Sequence, residues 1–201
     1  FESCGEKLDM AELQEIWESK LEPVYPYRKA GPAVEKINGS LTAPAAPKIG
    51  VAKPKVIIPV FPGTNCEYDT AKAFARAGAD PEILVIRNLT PADVTASCEA
   101  LVKAIDNSQI VMLPGGFSGG DEPDGSAKFI ASFFRSPAVT EAVRRLLQQR
   151  DGLMLGICNG FQALIKLGLV PYGDIRPITA YDPTLTFNTI GRHQSMLVRT
   201  R

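Results

Sequence analysis

Gly156-Ile157-Cys158-Asn159-Gly160 sets a cysteine between two glycines at the spacing of a nucleophile elbow. The motif follows an apolar run, Leu153-Met154-Leu155, and precedes a helical pattern over about 159–167 that Gly168 closes. A sharp strand-to-helix turn forces its central residue into strained backbone angles, and glycines two positions to either side avoid the crossing chain. The turn also puts the sulfur at a helix N-terminus, where the dipole and unsatisfied N–H groups stabilise negative charge, and the thiolate is the nucleophilic form. The competing reading is a buried structural thiol, a common state for cysteine. The place between strand and helix favours the nucleophile.

Gly115-Gly116-Phe117-Ser118-Gly119-Gly120-Asp121 follows a second apolar run, Ile110-Val111-Met112-Leu113. Glycines let the backbone approach a ligand and turn its N–H groups towards an anion. Acyl transfer needs such donors for a tetrahedral oxyanion. Three other readings compete. A phosphate cradle would require the Walker Lys and Ser/Thr, which are absent, and Asp121, Glu122 and Asp124 would repel phosphate. A plain turn needs no function at all. A serine elbow fits Gly116-Phe117-Ser118-Gly119-Gly120 by spacing, but more loop follows Ser118 where a helix should begin, and the chain has one histidine, His193.

Phe61-Pro62-Gly63-Thr64-Asn65-Cys66-Glu67 reads as a turn with a Thr or Asn cap, and Cys66 as a packed thiol. His193, in Gly191-Arg192-His193-Gln194, reads as a solvated or satisfied loop side chain.

The elements that must position these residues alternate. Apolar runs at 55–60, 83–86, 110–113 and 153–157 are separated by helical patterns at about 69–77, 91–105 and 126–149, the second with Thr90 as cap and Pro91 at its first position. Strands apolar on both faces and alternating with helices predict an α/β fold: an open parallel sheet with helices on both faces. Ligands of such sheets bind beyond the carboxyl ends of the strands, where both glycine motifs lie. A further strand is expected over Ser195 to Arg199. Upstream, residues 9–21 predict an amphipathic helix capped by Asp9, with a stripe of Leu13, Ile16, Trp17 and Leu21 that needs another surface to cover it. Ala, Pro, Gly and Ser dominate from about 28 to 52, which is linker chemistry.

The 22 basic and 22 acidic residues balance without long blocks, so neither a nucleic-acid stripe nor a polybasic membrane anchor is expected. The cysteines at 4, 66, 98 and 158 lack the paired short spacings of a zinc site, so no metal is expected, and free thiols suit a reducing cytoplasm. The start lacks both a signal-peptide pattern and an initiator Met, so the sequence is read as a piece of a longer one.

Taken together, Gly-Ile-Cys-Asn-Gly-Phe-Gln (156–162), the loop 115–121, Pro62-Gly63-Thr64-Asn65-Cys66-Glu67 and Phe187-Asn188-Thr189-Ile190-Gly191-Arg192 resemble the glutaminase domain of phosphoribosylformylglycinamidine synthases over residues 53–201. Class I glutaminases more often carry Cys-x-Gly-His-Gln at the elbow, and Gly119 stands where this family usually has an aromatic residue. Residues 1–27 resemble the end of the synthetase portion that precedes the glutaminase in the long single-chain form, with 28–52 as linker.

The resemblance implies a class I, flavodoxin-like fold and a set of roles. Cys158 attacks the side-chain amide carbon of glutamine and forms a γ-glutamyl thioester. Backbone N–H groups near Gly116, Phe117 and Asn159 hold the oxyanion, while Gln162, Asn188 and Arg192 help hold the glutamine backbone groups. The family's base is a His with a Glu two residues on. No such motif occurs here, and His193 lies too early to fill the role, so weak turnover is expected of the chain alone. The ammonia serves an ATP-dependent C–N ligase reaction on formylglycinamide ribonucleotide, with ATP and magnesium held by the synthetase portion of the same polypeptide. Two other functions compete: a cysteine hydrolase or stress-response protein of the same fold, against which Gln162 argues, and a non-catalytic interaction module.

Overall fold

The computed structural model describes residues 2–3, 5–24, 50–119, 127–185, 188, 190–193 and 195. The chain divides into two compact units, Phe1–Ala45 with Asn188–Arg201, and Ala46–Phe187. In the smaller unit two short strands, β1 (Glu2–Ser3) and β2 (Glu6–Lys7), pair antiparallel ahead of helix α1 (Met10–Ser19). The Asp9 carboxylate accepts from the backbone N–H groups of Ala11 and Glu12 at 2.8 and 3.4 Å, the expected N-terminal cap. The expected cover for the α1 stripe is absent among the described residues: Leu13, Ile16 and Leu21 are exposed, and Trp17 is 80% exposed.

The larger unit carries the site. Its strands are β3 (Lys55–Val60), β4 (Asp80–Val85), β5 (Ile110–Leu113) and β6 (Leu153–Gly156), all parallel, in the spatial order β4-β3-β5-β6. Helix α2 (Glu67–Arg76) connects β3 to β4, α3 (Pro91–Asp106) connects β4 to β5, and α6 (Asn159–Leu167) follows β6. The helical pattern over 126–149 resolves into α4 (Lys128–Phe134), α5 (Pro137–Arg144) and a widened π-turn, Arg145–Gln149. Pro137 at the first position of α5 makes this break, having no N–H to continue α4.

Helices cover both faces at the central strands β3 and β5, as their unbroken apolar runs predict, whereas Leu153 and Leu155 of β6 stay exposed. Val56, Ile58 and Met112 pack with Ala79 against Ala71 and Phe74 of α2 on one face. On the other, Ile57, Val111 and Leu113 join Leu101, Ile130, Val143 and Leu164 from α3, α4, α5 and α6. Pro59 lies in a central strand, where its missing N–H would interrupt a ladder. The β3–β5 ladder pairs only Val56 with Ile110 and Ile57 with Val111, so it ends before Pro59. Beyond that point the two segments meet again through a single antiparallel bridge, Thr64 with Gly116. Phe61, at the end of β3, packs edge-on against Phe129 (5.6 Å between centroids) and Phe133 (5.4 Å), which fastens α4 beneath the loops.

After α6 comes a one-turn helix α7 (Leu169–Tyr172). The following loop is pinned by Arg144, which donates to Asp174 at 2.8 and 3.1 Å and to the Ile175 carbonyl at 3.1 Å. Tyr172 donates to Asp182, whose carboxylate also accepts from Arg176 at 2.9 Å and from the Thr179 N–H. The Tyr172 hydroxyl first, then these other donors, hold the Asp182 carboxyl well below the usual carboxylate range. A depressed native pKa adds stability above the unfolded value, and that stability is lost as pH falls through the native one. Asp182→Asn should therefore lower the melting temperature at pH 7, and the gap from wild type should narrow below about pH 4. Melting curves of both proteins at pH 7 and pH 3 check this, and a gap unchanged by acid would contradict it.

The Pro/Ala-rich stretch up to residue 49 and most of the expected strand at 195–199 lie outside the described residues. No described helix is long and apolar enough to cross a membrane.

Candidate active site

β6 ends at Gly156 and α6 begins at Asn159, so Cys158 must reverse the chain within three residues. It does so at φ 53°, ψ −109°, a conformation that costs a non-glycine residue about 1–3 kcal/mol. Neighbouring contacts hold it there. Ile157 N–H donates to the Leu113 carbonyl at 3.1 Å, Gly160 N–H to the Ile157 carbonyl at 2.9 Å, and Gln162 N–H to the Cys158 carbonyl at 3.0 Å. A Cβ on Gly160 would stand 2.0 Å from the Leu113 carbonyl oxygen, and one on Gly156 would stand 2.5 Å from the Gly160 oxygen. Both motif glycines are thus required by close backbone approach, and Cys158 is lifted out exposed. Cys158→Gly should relieve the strain and raise unfolding stability by about 1 kcal/mol while deleting the thiol. Chemical denaturation measures the gain, and a loss of stability would contradict the strained turn.

The glycine loop is fastened to the end of β3 on one side and to the elbow on the other. Asn65 N–H donates to the Gly115 carbonyl at 2.8 Å, Phe117 N–H to the Gly63 carbonyl at 2.8 Å, and Gly119 N–H to the Pro62 carbonyl at 2.9 Å. The first two bonds flank the Thr64–Gly116 pair, and in a pair so flanked the N–H and C=O groups of the paired residues point away from each other. The Gly116 N–H is therefore turned away from Thr64. Gly115 lies against the nucleophile, since a Cβ there would be 3.4 Å from the Cys158 Cβ. Of the expected oxyanion donors, the Phe117 amide needs correction: its hydrogen is committed to Gly63.

Asn159 ties this loop to the helix. It is 1% exposed, and its Oδ1 accepts from both the N–H (3.2 Å) and the hydroxyl (2.7 Å) of Ser118. Its Nδ2 donates to Gln162 Oε1 at 3.1 Å. Ser118 is buried and its hydroxyl is occupied, which removes the serine-elbow reading. One side of the site thus gathers Cys158, Gly116, Asn159 and Gln162 at the carboxyl ends of β5 and β6.

Two sequence expectations at the first loop are corrected. Neither Thr64 nor Asn65 caps α2: Thr64 Oγ1 accepts from the Phe61 N–H at 3.0 Å, and Asn65 Oδ1 from the Cys66 N–H at 3.1 Å. Cys66 itself precedes α2 at φ 69° and is exposed, not packed. Asn188, Arg192 and His193 belong to the other unit, where Asn188 Nδ2 donates to the Arg192 carbonyl at 3.0 Å in a local turn. Among the described residues, no group of three or more His, Cys, Asp or Glu side chains could hold a metal ion.

The family model of the CobB/CobQ-like glutamine amidotransferase domain matches residues 53–201, from just ahead of β3 and through both glycine motifs. The chain belongs to this glutamine amidotransferase family. Similar proteins include the phosphoribosylformylglycinamidine synthase subunit PurQ of Dehalococcoides mccartyi, 35% identical over 72% of this chain and 51% of its own length. The subunit of the same name from Cereibacter sphaeroides is 42% identical over 58% of this chain and 44% of its own. A solved structure of PurLQS from Thermotoga maritima is 28% identical over 58% of this chain and 45% of the other, with a TM-score of 0.39. The chain spans about half the length of the curated relatives it matches.

Proposed function

We propose that this chain is the glutaminase part of a phosphoribosylformylglycinamidine synthase, releasing ammonia from glutamine for purine biosynthesis. The observation that carries the reading is Cys158, exposed at a strained elbow against Gly115. The relatives named as PurQ support the choice of pathway.

In this mechanism the Cys158 thiolate attacks the δ-carbon of the glutamine side chain, and the amide carbonyl becomes an oxyanion. The Gly116 and Asn159 amides face that charge, worth a few kcal/mol per donor. Collapse of the intermediate breaks the C–N bond. The nitrogen takes a proton and leaves as ammonia, while the γ-glutamyl group stays on sulfur as a thioester that water then cleaves to glutamate. Gln162 holds the amino-acid end of the substrate. A synthetase portion, with residues 1–27 as its end and 28–52 as the linker to the glutaminase, would hold ATP and magnesium. Phosphorylation of the amide oxygen of formylglycinamide ribonucleotide would then let ammonia add at the amide carbon, with phosphate as the leaving group. Free thiols of this kind suit the cytoplasm.

The assignment is checked by supplying amide-15N glutamine, ATP, magnesium and formylglycinamide ribonucleotide to the enzyme that contains this chain. The 15N should appear in the amidine of the product. Label released as ammonia but never found in the amidine, with every component present, would refute the purine-pathway assignment.

A further inference from the structure

We infer that Asn159 is a positioning residue that fixes which end of the Gln162 amide addresses the substrate, a role that rests on the glutaminase reading above. Ser118 sets the polarity. Its backbone N–H can only donate, so the Asn159 atom 3.2 Å away must be the side-chain oxygen. The Ser118 hydroxyl donates to that same oxygen at 2.7 Å. The Asn159 amide group therefore has one permitted orientation, with Nδ2 turned towards α6. There it donates to Gln162 Oε1 at 3.1 Å. Gln162 in turn must keep its oxygen towards Asn159 and its Nε2 donor side turned away from it. A chain of this kind, buried at Ser118 and Asn159 and half-buried at Gln162, passes polarity from a loop N–H to a side chain one helical turn beyond the nucleophile.

The consequence is chemical. A Gln162 presenting donors suits an acceptor on the ligand, such as the α-carboxylate of glutamine, whereas the flipped amide would present an oxygen and repel it. Because Asn159 is 1% exposed and adjoins Cys158, it can transmit this preference without itself contacting the substrate's amino-acid end. Asn159 thereby couples the loop beside the nucleophile to the recognition of the substrate's far end. Bulk sequence features carry no trace of it.

Asn159→Asp separates polarity from packing. It keeps the side-chain volume and both acceptor bonds to Ser118, but it offers Gln162 an oxygen in place of a donor. Ser118→Ala deletes the hydroxyl and leaves the polarity-setting N–H. The rate at which a glutamine-analogue diazo-ketone labels Cys158 is divided by the rate of labelling by iodoacetamide, which needs only an accessible thiolate. That ratio should fall about tenfold in Asn159→Asp, the effect of one misdirected hydrogen bond, and stay within about twofold of wild type in Ser118→Ala. Steady-state kinetics of the glutamine reaction should show the Asn159→Asp defect mainly in KM.

A wild-type-like ratio for Asn159→Asp, or equal losses in both variants, would overturn the positioning role while leaving the glutaminase reading intact. Failure of the wild-type protein to react with the diazo-ketone at Cys158 would overturn both.

Discussion

Cys158→Ala is expected to abolish glutamine-dependent amidation by the enzyme containing this chain, by about a thousandfold or more, while amidation driven by added ammonium salts persists. The size of the effect follows from the chemistry. In the proposed mechanism the γ-glutamyl thioester cannot form without sulfur, and among the described residues no other nucleophile stands at the elbow. Ser118, the only competitor suggested by spacing, is 2% exposed with its hydroxyl bound to Asn159. Cys66 is exposed, but it opens α2 from the end of β3 and is not seated in the β6–α6 turn. Survival of the ammonium-driven reaction separates loss of nitrogen supply from loss of folding. Parallel rate assays with the two nitrogen sources measure it, and equal losses with both would contradict the division of labour.

Gly160→Ala is expected to reduce stability by about 3 kcal/mol or more and to disrupt the turn that holds Cys158. A methyl group at this position would stand 2.0 Å from the Leu113 carbonyl oxygen and 2.6 Å from its carbon. Those are backbone atoms of β5, so no rotamer change can relieve the overlap, and either α6 or the strand end must move. Gly173→Ala is the appropriate comparison. It also has a positive φ, 72°, but nothing lies within 4 Å of its added Cβ, so only the conformational penalty of about 1–2 kcal/mol remains. Urea unfolding of the two variants should rank them in this order. If Gly160→Ala were as stable as Gly173→Ala, the close packing of the elbow on β5 would be wrong.

Much of this fold is legible from pattern alone. Four apolar runs become four parallel strands, because a segment such as Val56-Ile57-Ile58 that is apolar at every position can only be buried on both faces. Thr90 and Pro91 announce the start of α3, and the structure adds a reciprocal cap there, with Asp93 N–H donating to Thr90 Oγ1 and Thr90 N–H to the Asp93 carboxylate. The elbow is legible for a similar reason, since strand, spacing and helix agree on one turn. Other features depend on contacts between distant segments, which local periodicity does not encode. Thr64 looks like a helix cap by its position but is drawn back to Phe61 at the end of its own strand. Phe117 looks like an oxyanion donor by motif, yet the loop from β3 crosses beneath it and takes its N–H. The bonds from Ser118 to Asn159 span 41 residues, and nothing along the chain marks them as a pair.

The central claim, that Cys158 is the atom that meets glutamine, is tested most directly by locating the adduct of a glutamine-analogue diazo-ketone by peptide mass spectrometry, with and without excess glutamine. A single modification on Cys158 that glutamine suppresses is expected. Modification of Cys66 or Ser118 in its place, or labelling of Cys158 that glutamine leaves untouched, would contradict it.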